Sequence, residues 1–310
     1  MSKIQDALRR LQSEDRPRDG ERKGQVAQIS PRTSQDLDDT ASLRYERPDI
    51  VIEIDQRALR EEGLFAPNYH ARELADEYRQ IKRPLIANAF GKRVVRVEGG
   101  NVIMITSAFS GEGKTFSSIN LALSMAQERD HSVLLVDADV AKPHISKIFG
   151  VADEQGLLDI IENTSVVPDS LVIDTDVNGL SLLPAGSPRE NATELLASDR
   201  MEEVIQQIAT RFNNRLVIFD TPPLLDTSEA KVLMDFAGQI VLVVRAEHTP
   251  QGAVHEALHL IREEKVVNLV LNQSRMDPGK GSYGYGYSAQ SRRAYPAAEG
   301  GDQTGSLWGK

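Results

Sequence analysis

The chain has 310 residues, room for one large α/β domain with tails or for two average domains. Its 36 Lys and Arg against 46 Asp and Glu give a net charge of -10, which argues against nucleic acid as a partner; the lack of cysteine excludes thiolate chemistry, disulfides and Cys-ligated metals. Every apolar run is shorter than a bilayer span and residues 1–11 lack the apolar centre of a signal peptide, so the expected location is the cytoplasm.

In chain order, Ile4, Ala7, Leu8 and Leu11 recur at helical spacing and predict a short amphipathic helix. Residues 12–48 are polar and charged, with too few large apolar side chains to order themselves, so residues 1–48 read as a flexible arm. Residues 49–100 read as a helical and extended region leading into the core. From Val102 apolar strands alternate with helices: VIMITS, SSINLALSMAQ, SVLLVDAD, RMEEVIQQIATRF, RLVIFDTPP, SEAKVLMDFA, QIVLVVRA, AVHEALHLIREE and VNLVLNQ. Strands apolar on both faces belong in a sheet sandwiched between helices. The expectation is a doubly wound, mostly parallel α/β sheet over residues 101–276. After it, residues 277–310 replace aliphatic periodicity with Gly, Ser and Tyr and read as a flexible Tyr-rich tail.

The stretch SAFSGEGKT joins the first of these strands to its helix. Gly111, Gly113, Lys114 and Thr115 fit the end of a P-loop, G-x-x-x-x-G-K-[ST], with Ala108 where the pattern has its first Gly. Glycines let backbone N–H groups turn inward around phosphate oxygens, and the helix start adds its positive end. Lys114 would reach the terminal phosphates and Thr115 would offer a hydroxyl to Mg²⁺. Two further strands end in carboxylates, VLLVDADVAKP at Asp137 and Asp139 and LVIFDTPP at Asp220. Strand carboxyl ends form the ligand crevice of an open α/β sheet. Three acids beside a triphosphate would repel it without a divalent cation between them, so the layout implies Mg²⁺ with ATP. Asp137 and Asp139, two residues apart, are expected on one side of an extended chain.

The three strings, in this order and with PRENATELLAS between the second and third, resemble the bacterial tyrosine kinase family over roughly residues 73–295. That resemblance implies a P-loop NTPase type of fold, with Ser110, Gly111, Glu112, Gly113, Lys114, Thr115 and Phe116 around the nucleotide phosphates and Asn272 at the adenine. It implies Asp137 as the carboxylate that helps deprotonate an attacking tyrosine, with Lys114 and Asp139 beside it in catalysis and Thr115, Asp139 and Asp220 organising the metal. The acceptors would be Tyr283, Tyr285, Tyr287 and Tyr295, four of the seven tyrosines of the chain, separated by small residues. Autophosphorylation in exopolysaccharide synthesis or export then follows as an implication. So do a membrane-embedded polysaccharide co-polymerase as activator, a cognate tyrosine phosphatase, homo-oligomers, and a place at the inner membrane held through a partner. The ring-forming Glu-x-x-Arg-x-x-Arg of the family appears here as Asp76, Arg79 and Lys82.

Two other readings stand beside it. His255, Glu256 and His259 spell HEALH, formally a zinc-protease pattern, but no convincing third ligand follows. A nucleotide-operated switch like the partition ATPases would keep the same loop with the tyrosines incidental. Those ATPases begin the loop with a Lys, where this chain has Phe109.

Overall fold

The computed structural model describes residues 51–54, 56–61, 71–91 and 95–274. The expected N-terminal helix, the whole arm of residues 1–48 and the tail of residues 277–310 with its four tyrosines lie outside the described residues. By its internal contacts the chain divides after Ser274, and the fold that follows belongs to the part before that division.

Eight strands make one sheet: β1 (Val51–Ile52), β2 (Val102–Ser107), β3 (Ser132–Asp137), β4 (Ile173–Thr175), β5 (Leu180–Leu183), β6 (Arg215–Asp220), β7 (Gln239–Arg245) and β8 (Val266–Asn272). Their order is β1-β4-β5-β3-β6-β2-β7-β8, and every pairing is parallel except β4 with β5. The doubly wound, mostly parallel sheet expected from the alternation is therefore present. Side-chain parity explains its two faces, because successive residues of a strand point to opposite sides. Val102 and Met104 enter one core while Ile103 and Ile105 enter the other. The same split separates Leu134 and Val136 from Val133 and Leu135, and Val217 and Phe219 from Leu216 and Ile218.

The first core is closed by α5 (Leu157–Glu162), α7 (Asp199–Thr210), α8 (Ser228–Phe236) and α9 (Gln251–Leu260), with α6 (Ala192–Leu196) beside them. Ser198 caps α7 by accepting from the Met201 N–H, and Thr227 caps α8 by accepting from Ala230. The second core is closed by α2 (Ala71–Phe90), α3 (Lys114–Ala126) and α4 (His144–Ile148); α1 (Gln56–Glu61) adds Leu59. Leu85 of α2 is fully buried, a contribution of about 1.5–3 kcal/mol for a leucine taken out of water.

Strand β1, the antiparallel β4 and the short β5 were not among the expected elements. They have two to four residues each, too few for a period to emerge. Helix α2 also differs from the ring-forming motif read there. Lys82 turns inward, 4% exposed, and donates to the Ser124 carbonyl (2.6 Å) and to Glu128 (2.7 Å) at the carboxyl end of α3. Asp76 and Arg79 stay exposed and pair with each other at 2.6 Å.

Candidate active site

The central strands β3, β6 and β2 lie side by side and end together. Asp137 of β3 faces Asp220 of β6 in register, and Asp220 is in turn the neighbour of Ile105 in β2. Beyond β2 the chain makes its tight loop and enters α3 at Lys114. Gly111 and Gly113 hold φ of 83° and 97°, the left-handed region in which a Cβ would clash with the peptide. At Gly113 a Cβ would also drive into the Asn272 amide. Strand β2, which leads into the loop, is tied to the segment after β6: the Thr106 hydroxyl donates to the Pro222 carbonyl (2.9 Å) and the Thr221 hydroxyl to that of Ile105 (2.9 Å).

Lys114, Asp137, Asp139 and Asp220 converge on this point, all of them buried. The Thr115 hydroxyl donates to one Asp220 oxygen at 2.8 Å and the Ser118 hydroxyl to the other at 2.9 Å. Ser118 lies three residues beyond Thr115, so α3 presents both hydroxyls on the same face. One oxygen of Asp137 accepts from both the Ser146 N–H and the Ser146 hydroxyl, each at 2.7 Å. Its second oxygen, Oδ1, is buried with no partner. Strand β3 ends at Asp137, so Asp139 belongs to the turn that follows, not to an extended run as expected. Its side chain accepts from the Lys142 N–H at 3.2 Å.

Burial governs the protonation of all three acids. It raises Asp137 to about 7, against the pull of Ser146 and with a further push from Asp220. It raises Asp220 to about 6, against its hydrogen bond from Thr115 and the charge of Lys114. Asp139 is raised for the same reason, with Lys114 the main opposing charge. Carboxyl groups that resist ionisation in this way gain from an added cation. The Thr115 hydroxyl and the buried carboxylates of Asp139 and Asp220 are hard oxygen donors that fit Mg²⁺. Among the described residues no three His, Asp or Glu side chains make a metal cage by themselves. A metal held by Thr115, Asp139 and Asp220 would complete its shell with phosphate and water.

The remaining residues of the sequence reading have plain positions. Ser110 and Gly111 are exposed at the loop tip, where the Ser110 N–H donates to Asp226 (3.3 Å). Phe116 is half-buried against the second core. Glu112 is 4% exposed and its side chain is held by the Phe109 N–H and the Thr249 hydroxyl. Asn272 donates to the Glu112 carbonyl at 2.9 Å. His255 and His259 lie exposed on α9. Sequence reasoning missed Ser118, Ser146 and Thr249. Ser118 had a signal, its helical spacing from Lys114; the other two are joined to the site only by the fold.

This is a mononucleotide-binding α/β protein of the P-loop class, with acidic strand ends facing its loop. Residues 100–273, more than half of the chain, match the family described as AAA domain. The chain is 31% identical over 185 residues to the tyrosine-protein kinase YwqD of Bacillus subtilis, a match covering 59% of this chain and 76% of that protein. It is 32% identical over 188 residues to EpsB of Ralstonia solanacearum, covering 61% of this chain. Of EpsB and relatives of similar length it spans about a quarter, 24% in the case of EpsB. Among solved structures it superposes on the kinase domain of VpsO with a TM-score of 0.52 and 31% identity, over 64% of this chain and 98% of that one. The chain belongs to the bacterial tyrosine kinases.

Proposed function

We propose that this chain transfers the γ-phosphoryl group of ATP to tyrosines of its own tail, at Tyr283, Tyr285, Tyr287 and Tyr295, and thereby regulates exopolysaccharide synthesis or export. The observation that carries the reading is Asp137: a buried carboxyl with one oxygen fixed by Ser146 and the other unpartnered, in register with Asp220 beside the phosphate loop.

In this reading Lys114 and the loop amides neutralise charge on the phosphates, which is most of what a loose phosphoryl-transfer transition state requires. Thr115, Asp139 and Asp220 are the residues that would hold Mg²⁺, which when bound would supply further positive charge to offset that of the phosphates. The Asp137 carboxylate accepts the phenolic proton as the tyrosine oxygen bonds to phosphorus, the bond to the leaving oxygen breaks and ADP departs. Tyrosine ordinarily loses its proton near pH 10, so the transfer comes late, and a carboxyl raised toward neutrality is a better-matched base.

The proposal extends to homo-oligomers, a membrane-embedded activator and a cognate phosphatase, with the protein cytoplasmic and peripheral to the inner membrane through that activator. Family membership supports this. Among the described residues no helix is long and apolar enough to cross a membrane. The test is to incubate phosphatase-treated protein with ATP and Mg²⁺ and probe for phosphotyrosine. Label in the wild type that Lys114→Met or removal of Mg²⁺ abolishes is expected; label that persists in Lys114→Met would overturn the assignment.

A further inference from the structure

Between the two left-handed glycines of the phosphate loop, Glu112 points away from the hollow into the protein. Its Oε2 accepts from the Phe109 N–H at 2.9 Å, which closes the neck of the loop, and its Oε1 accepts from the Thr249 hydroxyl. Its carbonyl accepts from the Asn272 amide at 2.9 Å. The polarity of both outside contacts is fixed. Thr249 accepts from the Arg245 N–H at 3.0 Å, so its single proton goes to Glu112. Asn272 accepts from the Gln273 N–H at 2.9 Å through its own oxygen, so its NH₂ group faces the loop.

The two donors come from separate segments, the turn after β7 and the end of β8, joined by the Ala246 N–H donating to the Asn272 carbonyl at 2.9 Å. Backbone conformation supplies an independent sign of function. The non-glycine residues with positive φ among the described residues are Glu247 at 62° and Gln273 at 57°. One lies two residues before Thr249 and the other directly after Asn272. Backbone held in a sparsely populated region persists where surrounding contacts over-determine it, and such residues gather at working sites.

We infer that Thr249 and Asn272 are positioning residues that grip Glu112 from outside the site and hold the phosphate loop in its cradle shape before nucleotide arrives. Neither needs to touch the nucleotide. The inference builds on the nucleotide-binding part of the function proposed above and does not depend on which group receives the phosphate. A loop already ordered surrenders less entropy when the phosphates bind, so the grip appears as affinity.

The test uses the full chain with MgADP as the probe, its affinity measured by calorimetry, together with hydrogen exchange at residues 109–113 in nucleotide-free protein. Thr249→Val removes the hydroxyl at nearly constant shape and Thr249→Ser restores it. Loss of a hydrogen bond to a charged group predicts about tenfold weaker MgADP binding and faster exchange in the valine variant, with both reversed in the serine variant. Asn272→Asp removes the second donor from the other segment and is expected to act in the same direction, which covers a failure of Thr249→Val to fold. Wild-type exchange at residues 109–113 in folded Thr249→Val or Asn272→Asp would overturn the grip, even if nucleotide bound to neither form. Wild-type protein that binds MgADP yet forms no phosphotyrosine would instead overturn the kinase reading and leave the grip standing.

Discussion

Asp137 combines two features that elsewhere would exclude each other, full burial and an unsatisfied oxygen. Ser146 fixes one side of the carboxyl, so the free lone pairs keep a set direction. Asp137→Asn keeps the shape and the bonds to Ser146 but cannot take a proton. It is expected to lower phosphotyrosine formation by about 100-fold or more, the usual worth of a general base, while MgADP affinity stays near wild type. Equal losses of binding and transfer would make Asp137 a structural residue. The convergence of Lys114, Thr115 and the three acids was legible in the sequence because each lies at or just beyond a strand end or at a helix start. The Ser146 bond was not, since nothing in its local spacing from Asp137 reports that α4 folds back over β3. Glu112 was read as part of the phosphate contact; only the fold reveals that its carboxylate faces inward.

At the scale of elements, α2 is stapled to the helix that carries the phosphate loop. Lys82 donates to the last turn of α3, where unpaired carbonyls make a cation favourable. Lys82→Met keeps the buried stem and removes the charge, and is expected to destabilise the fold by about 1–2 kcal/mol, read as a lower Tm. The hydrogen bond from Lys82 holds Glu128 below its usual carboxylate range, against an opposing effect of burial. A depressed carboxylate stabilises the fold above its unfolded value and loses that contribution as pH falls through the folded one. Wild-type stability should thus fall more steeply than that of Lys82→Met as pH drops below about 4.5. Parallel acid limbs in urea titrations would show that the pair carries no such linkage. Strands β2, β3, β6 and β7 were readable because their middles, buried on both faces, are unbroken apolar runs; β8 has a shorter apolar run, residues 269–271, although Leu269 and Leu271 are exposed. Lys82 was misread for the complementary reason, that a lysine at a surface-like spacing gives no hint that its ammonium reaches a helix end.

For the whole molecule, the nucleotide machinery described lies before Ser274 and the tyrosines proposed as acceptors lie after it. A chain ending at Ser274 is therefore expected to unfold cooperatively and to bind MgADP like the full protein, yet to form no phosphotyrosine. Loss of nucleotide binding on truncation would mean that the tail helps build the site. Each phosphate added to the tail brings about 1.5 to 2 negative charges to a chain already at -10, which opposes close approach to an acidic crevice. The most direct measurement is peptide mass spectrometry of residues 275–310 after dephosphorylated protein has been incubated with ATP and Mg²⁺. Phosphate on Tyr283, Tyr285, Tyr287 or Tyr295, absent from Lys114→Met, is the predicted result; ATP hydrolysed with the tail unmodified would contradict it.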